Sequence, residues 1–103
     1  MVEKHYAYML MCADNTIYSG YTNNLEKRVE VHNSGKGAKY TRNRRPVRLV
    51  YFECFETKSE AMHREYEFKQ LSRADKERLI KKEEKQGTWD KGRQRDVATV
   101  YYS

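Results

Sequence analysis

The chain has only two cysteines, Cys12 and Cys54, and neither sits at ligand spacing from histidine or another cysteine, so a zinc site is excluded. Both fall in segments that read as strands, a common place for buried, reduced thiols, and a cytoplasmic, reducing location is expected. No apolar run approaches the roughly 18 residues of a spanning helix. The first residues also lack a basic-then-apolar signal pattern, so no membrane partner is expected. No internal repeat is visible. Acid is the other shortage, with 15 Asp and Glu against 21 Lys and Arg and a formal charge of +6. An excess of that sign favours polyanions, nucleic acid first among them. The remaining composition, 38% hydrophobic and 35% charged over 103 residues, fits one small core inside a heavily charged shell.

Two short segments organise the chain. Tyr6 to Cys12 and Thr16 to Tyr21 are rich in Tyr, Leu, Ile and Met, and Ala13-Asp14-Asn15 lies between them. Asp and Asn tolerate positive φ and bond the backbone locally, so the pair reads as a β-hairpin. Alternation puts Tyr6, Tyr8 and Leu10 on one face, and Tyr18 with Gly20 on one face of the second strand. If those faces coincide, two phenols stand beside a glycine whose bare backbone admits close approach. The plain alternative is an aromatic hairpin filling a core.

Asn23 with Glu26 three residues later reads as the N-cap of a helix, and Gly35 as its stop. On a 3.6-residue period Leu25, Arg28, Val29 and His32 share one arc. A cation and an imidazole therefore flank the face that should be apolar, and such conflicts between pattern and burial mark functional sites. Arg28 at the rim and His32 as a bonded boundary residue is the bland account of the same pattern. The stretch from Gly35 to Arg48 then carries Lys36, Lys39, Arg42, Arg44, Arg45 and Arg48 with no acid, and Tyr40 is interleaved. Uncompensated Arg and Lys beside flexible glycines suit a phosphate-backbone footprint, with Lys36, Lys39, Tyr40, Arg42, Arg44 and Arg45 as its contacts.

Val47 to Phe55 is apolar on both parities and reads as a third strand covered on both faces. Thr57-Lys58-Ser59-Glu60 is a capping box opening a helix to about Gln70, whose buried side is Ala61, Phe68 and Leu71. Glu65 falls between Ala61, Phe68 and Met62 on that wheel, where an ionised carboxylate is costly unless a cation or donors meet it. Ser72 caps a last helix anchored by Leu79 and Ile80. Residues 1–85 are thus expected as one domain and 86–103 as a tail, in which 97–102 are apolar enough to dock or to pair with a strand edge, with disorder as the alternative.

Taken in order, Tyr6-Ala7-Tyr8, Tyr18-Ser19-Gly20, Arg28, His32 and Glu65 resemble the signature set of the GIY-YIG nuclease family over about residues 5–80. The first tripeptide departs from Gly-Ile-Tyr and keeps its final Tyr. The chain is most similar to the small single-domain bacterial members, in which Lys39-Tyr40-Thr41-Arg42 and a helix with Ser59-Glu60-Ala61 and Arg64-Glu65-Tyr66-Glu67 are typical. The resemblance implies an α+β fold, a three-stranded antiparallel sheet of hairpin plus third strand packed by three to four helices.

It also implies metal-dependent hydrolysis of DNA phosphodiesters, structure- rather than sequence-selective, of the kind used in repair or recombination. Tyr8 and Tyr18 would be the general base and its partner, Arg28 the phosphate clamp, and Glu65 the ligand of Mg²⁺ or Mn²⁺. His32 would orient or relay protons. A phenol ordinarily has a pKa near 10, and Arg28 and a bound cation are expected to lower that of the base. An Asn that many longer members carry after the Glu helix has no counterpart here. A lone catalytic module binds weakly, which leaves room for a homodimer or an accessory targeting protein. The alternative is a nucleic-acid-binding module that keeps the fold with little activity.

Overall fold

Alternating aromatic and aliphatic residues make His5–Met11 (β1) and Ile17–Thr22 (β2) an antiparallel pair with Tyr8 opposite Gly20 and Leu10 opposite Tyr18. The faces whose coincidence the sequence left open are therefore one face. Asn15 takes φ 70° in the turn, and Asp14 Oδ1 accepts from Thr16 N at 3.2 Å and Thr16 Oγ1 at 2.7 Å. This is the local chemistry that favours Asp and Asn at tight turns.

The computed structural model describes residues 4–86, so the tail expected over 86–103, including the docking segment 97–102, lies beyond residue 86 outside the described residues. Arg48–Phe55 (β3) pairs antiparallel with β1 on its other side, giving the order β2-β1-β3. Met9 opposes Tyr51 and Leu10 opposes Leu49, so the register shifts by one residue in a bulge at Val50. Val50 and Tyr51 then both serve the same core cluster, and this is why β3 is apolar at consecutive positions.

Both faces of the sheet are covered. Leu25–Asn33 (α1) packs Leu25 and Val29 on Tyr8, Leu10, Leu49 and Phe52. Lys58–Gln70 (α3) and Arg73–Gln86 (α4) cover the opposite face, where Phe68 and Ile80 meet Ala7, Met9, Val50 and Tyr51. A short turn of helix, Lys39–Arg42 (α2), lies between α1 and β3. The expected α+β architecture is thus the one found, with four helices among the described residues.

One cap moves by a residue. Asn24, rather than Asn23, caps α1, its Oδ1 accepting from Lys27 N at 3.1 Å. The cause lies at the end of β2: the Thr22 hydroxyl accepts from Asn24 N at 3.1 Å and donates to Asn24 O at 3.2 Å, fixing Asn24 in an extended conformation. Thr57 caps α3 as read, Glu60 N donating to its Oγ1 at 3.2 Å, and the Glu60 carboxylate turns back to accept from that hydroxyl at 3.1 Å. Ser72 Oγ likewise accepts from Asp75 N at the start of α4. At the far end of α1 the Asn33 amide brackets the backbone of Val47, donating to its O at 3.0 Å and accepting from its N at 2.7 Å. That clamp fixes both ends of the basic loop between α1 and β3. No helix among the described residues is long and apolar enough to cross a membrane.

Candidate active site

The antiparallel register that sets Tyr8 opposite Gly20 lays the phenol across that glycine. A Cβ at position 20 would stand 2.5 Å from Tyr8 Oη and 2.6 Å from Cζ, so the site requires glycine there. The α1 period brings Arg28 and His32 over the same face. Tyr8 Oη lies 3.1 Å from His32 Nε2, and Arg28 Nε donates to it at 3.4 Å. Tyr18 stands edge-on to the imidazole with ring centres 5.3 Å apart. Tyr8 and His32 are buried, whereas Arg28 and Tyr18 are half-buried. Four of the five residues singled out for chemistry therefore form one cluster.

Glu65 is the fifth. It projects from α3 with its side chain 19% exposed, and its charge reaches the Tyr8 phenol. The expected apolar surroundings are only half present. Ala61 and Phe68 are buried, but Met62 is 45% exposed, and Lys69 Nζ lies 2.8 Å from Glu65 Oε2 one turn further along α3. The carboxylate has a cationic partner from its own helix.

The electrostatics of the pair at the centre differ from the expectation. Burial pushes the Tyr8 phenol up to about 12, outweighing the hydrogen bond and positive charge of Arg28. The guanidinium does lower the pKa, as expected, but the low-dielectric surroundings raise it more. Burial, with Arg28 beside it, drives His32 down to about 4, so the imidazole is neutral at physiological pH. An unfolded histidine takes up its proton near 6.5, so the unfolded chain binds more protons as pH falls below that value. Stability from this group is full above pH 6.5 and declines by up to about 3 kcal/mol as pH falls through 4. Urea melts at pH 7 and pH 4.5 should show a loss in the parent that exceeds that in His32→Gln by about 2–3 kcal/mol. Equal losses in the two proteins would mean that His32 titrates normally.

The basic loop divides in two. Arg44 is committed to the fold, with Nε donating to Asp14 Oδ2 at 2.9 Å, its guanidinium 4.1 Å above the Tyr40 ring, and its carbonyl accepting from Ala13 N. Arg45 donates to Arg42 O at 2.8 Å and Asn33 O at 3.4 Å. Lys36, Lys39 and Arg42 are exposed and form no ion pair among the described residues. Tyr40, 40% exposed, carries the aromatic surface from Tyr18 outward at 5.7 Å between ring centres.

Two residues that the sequence reading gave no place beside His32 complete the cluster. Thr41 is fully buried, with Oγ1 2.8 Å from His32 Nδ1, and a Cβ at Gly37 would stand 2.5 Å from the same nitrogen. Thr41 stands in the Lys39-Tyr40-Thr41-Arg42 run, but a polar, basic loop has no period to announce its burial.

The described residues contain no group of three or more His, Cys, Asp or Glu able to hold a metal. Among the described residues, Glu65 is the carboxylate whose charge reaches the cluster. That fits Mg²⁺ or Mn²⁺, which keep several waters and take one or two carboxylates together with substrate phosphate oxygens.

Comparison with known proteins bears on the same residues. The family described as the GIY-YIG catalytic domain matches residues 4–81. A UPF0213 protein of Bacillus licheniformis is 60% identical over 83 residues, covering 81% of this chain and 86% of that protein. A UPF0213 protein of Natronomonas pharaonis is 60% identical over 80 residues, covering 78% and 94%. Among solved structures, the solution NMR structure of a protein from E. faecalis shares 50% identity at a TM-score of 0.54, covering 78% of this chain and 85% of that one. That of a UPF0213 protein from Bacillus halodurans shares 52% identity at 0.50, covering 76% and 83%.

Proposed function

Because the chain belongs to the GIY-YIG catalytic domain family, we propose that it is a metal-dependent endonuclease that cuts DNA by structure rather than sequence, in repair or recombination. The observation that carries this reading is the Tyr8 oxygen held between Arg28 and His32 in a buried cluster within the field of Glu65. Simple phosphate binding needs exposed cations, and these are present in the loop. It has no use for a buried phenol and imidazole.

In this reading Tyr8, once ionised, takes the proton from the attacking water, and Tyr18 lines the other side of the imidazole. Arg28 offers its remaining guanidinium N–H groups to the scissile phosphate, whose charge grows as the nucleophile adds. Glu65 would hold the divalent cation, with Lys69 keeping one carboxylate oxygen oriented. The cation would supply Lewis-acid neutralisation of charge on the phosphoryl and leaving oxygens. Lys36, Lys39 and Arg42 track the backbone, and Tyr40 offers a ring for stacking.

The test is incubation of the protein with flap, nicked, forked and single-stranded DNA in Mg²⁺ or Mn²⁺. Cutting of a branched substrate above the matched duplex supports the reading, and binding without cutting in either metal supports the binding-module alternative. Binding should weaken steeply with salt. Neutralising Lys36, Lys39 and Arg42 together should flatten the log–log salt slope by about three units, roughly one per phosphate contact. Arg44→Ala should instead lower the melting temperature, because its guanidinium ties the loop to the hairpin turn. An unchanged slope in the triple variant would move the footprint elsewhere.

A further inference from the structure

Helix α3 has two unlike flanks. At 3.6 residues per turn, Glu65, Lys58, Lys69, Met62 and Tyr66 fall within one arc of about 100°, while Glu60 and Glu67 lie on the far side. Contacts fix where each flank points. Arg64 reaches Glu53 of β3 at 2.9 Å and Glu67 at 3.0 Å, so the acidic flank turns toward β3. Lys58 Nζ stands 5.9 Å from the ring centre of Tyr21, so the other flank turns toward β2, the strand of Tyr18 and Gly20. This is also the flank of Glu65, whose charge reaches the Tyr8 phenol.

Apolar surface is exposed on that flank. Tyr66 is 60% and Met62 45% exposed, more than any other large hydrophobic side chain among the described residues. They stand one turn apart and form one patch. Tyr66 makes no ring contact among the described residues, so packing does not explain a phenol there. Cations surround the patch. Lys69 donates to Glu65 at 2.8 Å and keeps two N–H groups, and Lys58 is exposed one turn before Met62. The charge continues onto α4, where half-buried Lys76 forms no ion pair among the described residues. Burial and the charges of Arg73 and Lys69 hold its ammonium below the usual lysine range, a cost that an anion would relieve. Protein-docking patches are depleted of lysine at their centres, whereas an aromatic ring among cations suits a nucleic-acid strand.

We propose that Tyr66, with Met62 beside it, is a stacking platform for one unpaired nucleobase, and that Lys58, Lys69 and Lys76 hold phosphates of the same strand. Stacking on the ring requires a base whose own face is free, so the platform takes a strand that has left its duplex at this point. Placing that base next to the scissile phosphate rests on the nuclease reading, because Glu65 links the two. The platform itself does not.

The test is fluorescence anisotropy of the full chain in chelator, with a labelled single-stranded oligonucleotide and the blunt duplex of the same sequence. Tyr66→Ala should weaken binding of the single strand about tenfold and leave the duplex unchanged, while Tyr66→Phe should bind both as the parent does. Because the ring is exposed, both variants should melt at the parental temperature. Irradiating the parent with a single strand carrying 5-iododeoxyuridine should give a cross-link at Tyr66. Lys58→Gln combined with Lys76→Gln should flatten the log–log salt slope for the single strand by about 1.4 units, roughly 0.7 per phosphate contact. Parental binding of the single strand by Tyr66→Ala overturns the platform and leaves the patch to a protein partner. Equal weakening of both DNAs, or cross-links at other residues alone, overturns it as well. An unchanged salt slope removes the lysines from the role. A parent that binds the single strand through Tyr66 but cuts no DNA when metal is supplied would sink the nuclease reading and leave the platform standing. A parent that binds neither DNA overturns both.

Discussion

Tyr8→Phe should lower cleavage of the preferred DNA by about 10²–10⁴-fold, the range lost when a positioned general base is removed. The ring volume is kept, but His32 Nε2 and Arg28 Nε both lose their hydrogen-bond partner, so a destabilisation of roughly 1–3 kcal/mol should accompany the loss. Gly20→Ala provides the control for geometry. Its Cβ would occupy space 2.5 Å from the phenol oxygen, so the ring must leave its position between Arg28 and His32. A comparable loss of cleavage is expected with the hydroxyl still present. The pH profile distinguishes the role further. Burial sets the phenol near 12, so the ionised fraction rises about tenfold per pH unit through the working range. Cleavage measured from pH 6 to 9 should climb with unit slope and no plateau, and Tyr8→Phe should flatten it. Parental cutting by Tyr8→Phe would make the tyrosine a core residue and the proposed base wrong.

The hairpin, the third strand and both capping motifs were legible because each rests on short-range chemistry. Asn15 at positive φ, Thr57 at the start of α3 and the two-sided apolar run of β3 require no knowledge of distant residues. The union of Tyr8, Tyr18, Arg28 and His32 was legible for a related reason. Two periodicities, two along a strand and 3.6 along a helix, each present their residues to one face, and the structure makes those faces meet. What stayed hidden depends on tertiary placement. The Thr22 hydroxyl at the end of β2 decides between Asn23 and Asn24 as cap. Asp14 withdraws Arg44 from a run of cations that look alike in sequence. Thr41 sits in a loop with no period to announce burial, yet contacts the one fully buried imidazole among the described residues. The sign of the Tyr8 shift was hidden too, because desolvation and Arg28 oppose each other and only the depth of burial decides.

Glu65→Gln should abolish cleavage, by about 10³-fold or more if the single carboxylate is what holds the cation. Its effect on metal-free stability is expected to be small. An unpaired carboxylate among apolar neighbours would gain from neutralisation, but here Lys69 Nζ stands 2.8 Å away across one helical turn. Pairs of that spacing contribute only about 0.3–0.5 kcal/mol, and removing the charge relieves a desolvation cost of similar size and opposite sign. The two changes nearly cancel, so melts of parent and variant in chelator should agree within about 0.5 kcal/mol. Metal separates them. Mg²⁺ or Mn²⁺ that binds the folded parent raises its melting temperature according to concentration over Kd. The variant, with an amide that offers one neutral oxygen, should show no such rise at the same metal concentration. A Glu65→Gln protein that melts several degrees lower in chelator would make the Lys69 pair structural. Equal stabilisation of both proteins by metal would place the cation on other residues and leave Glu65 without its proposed role.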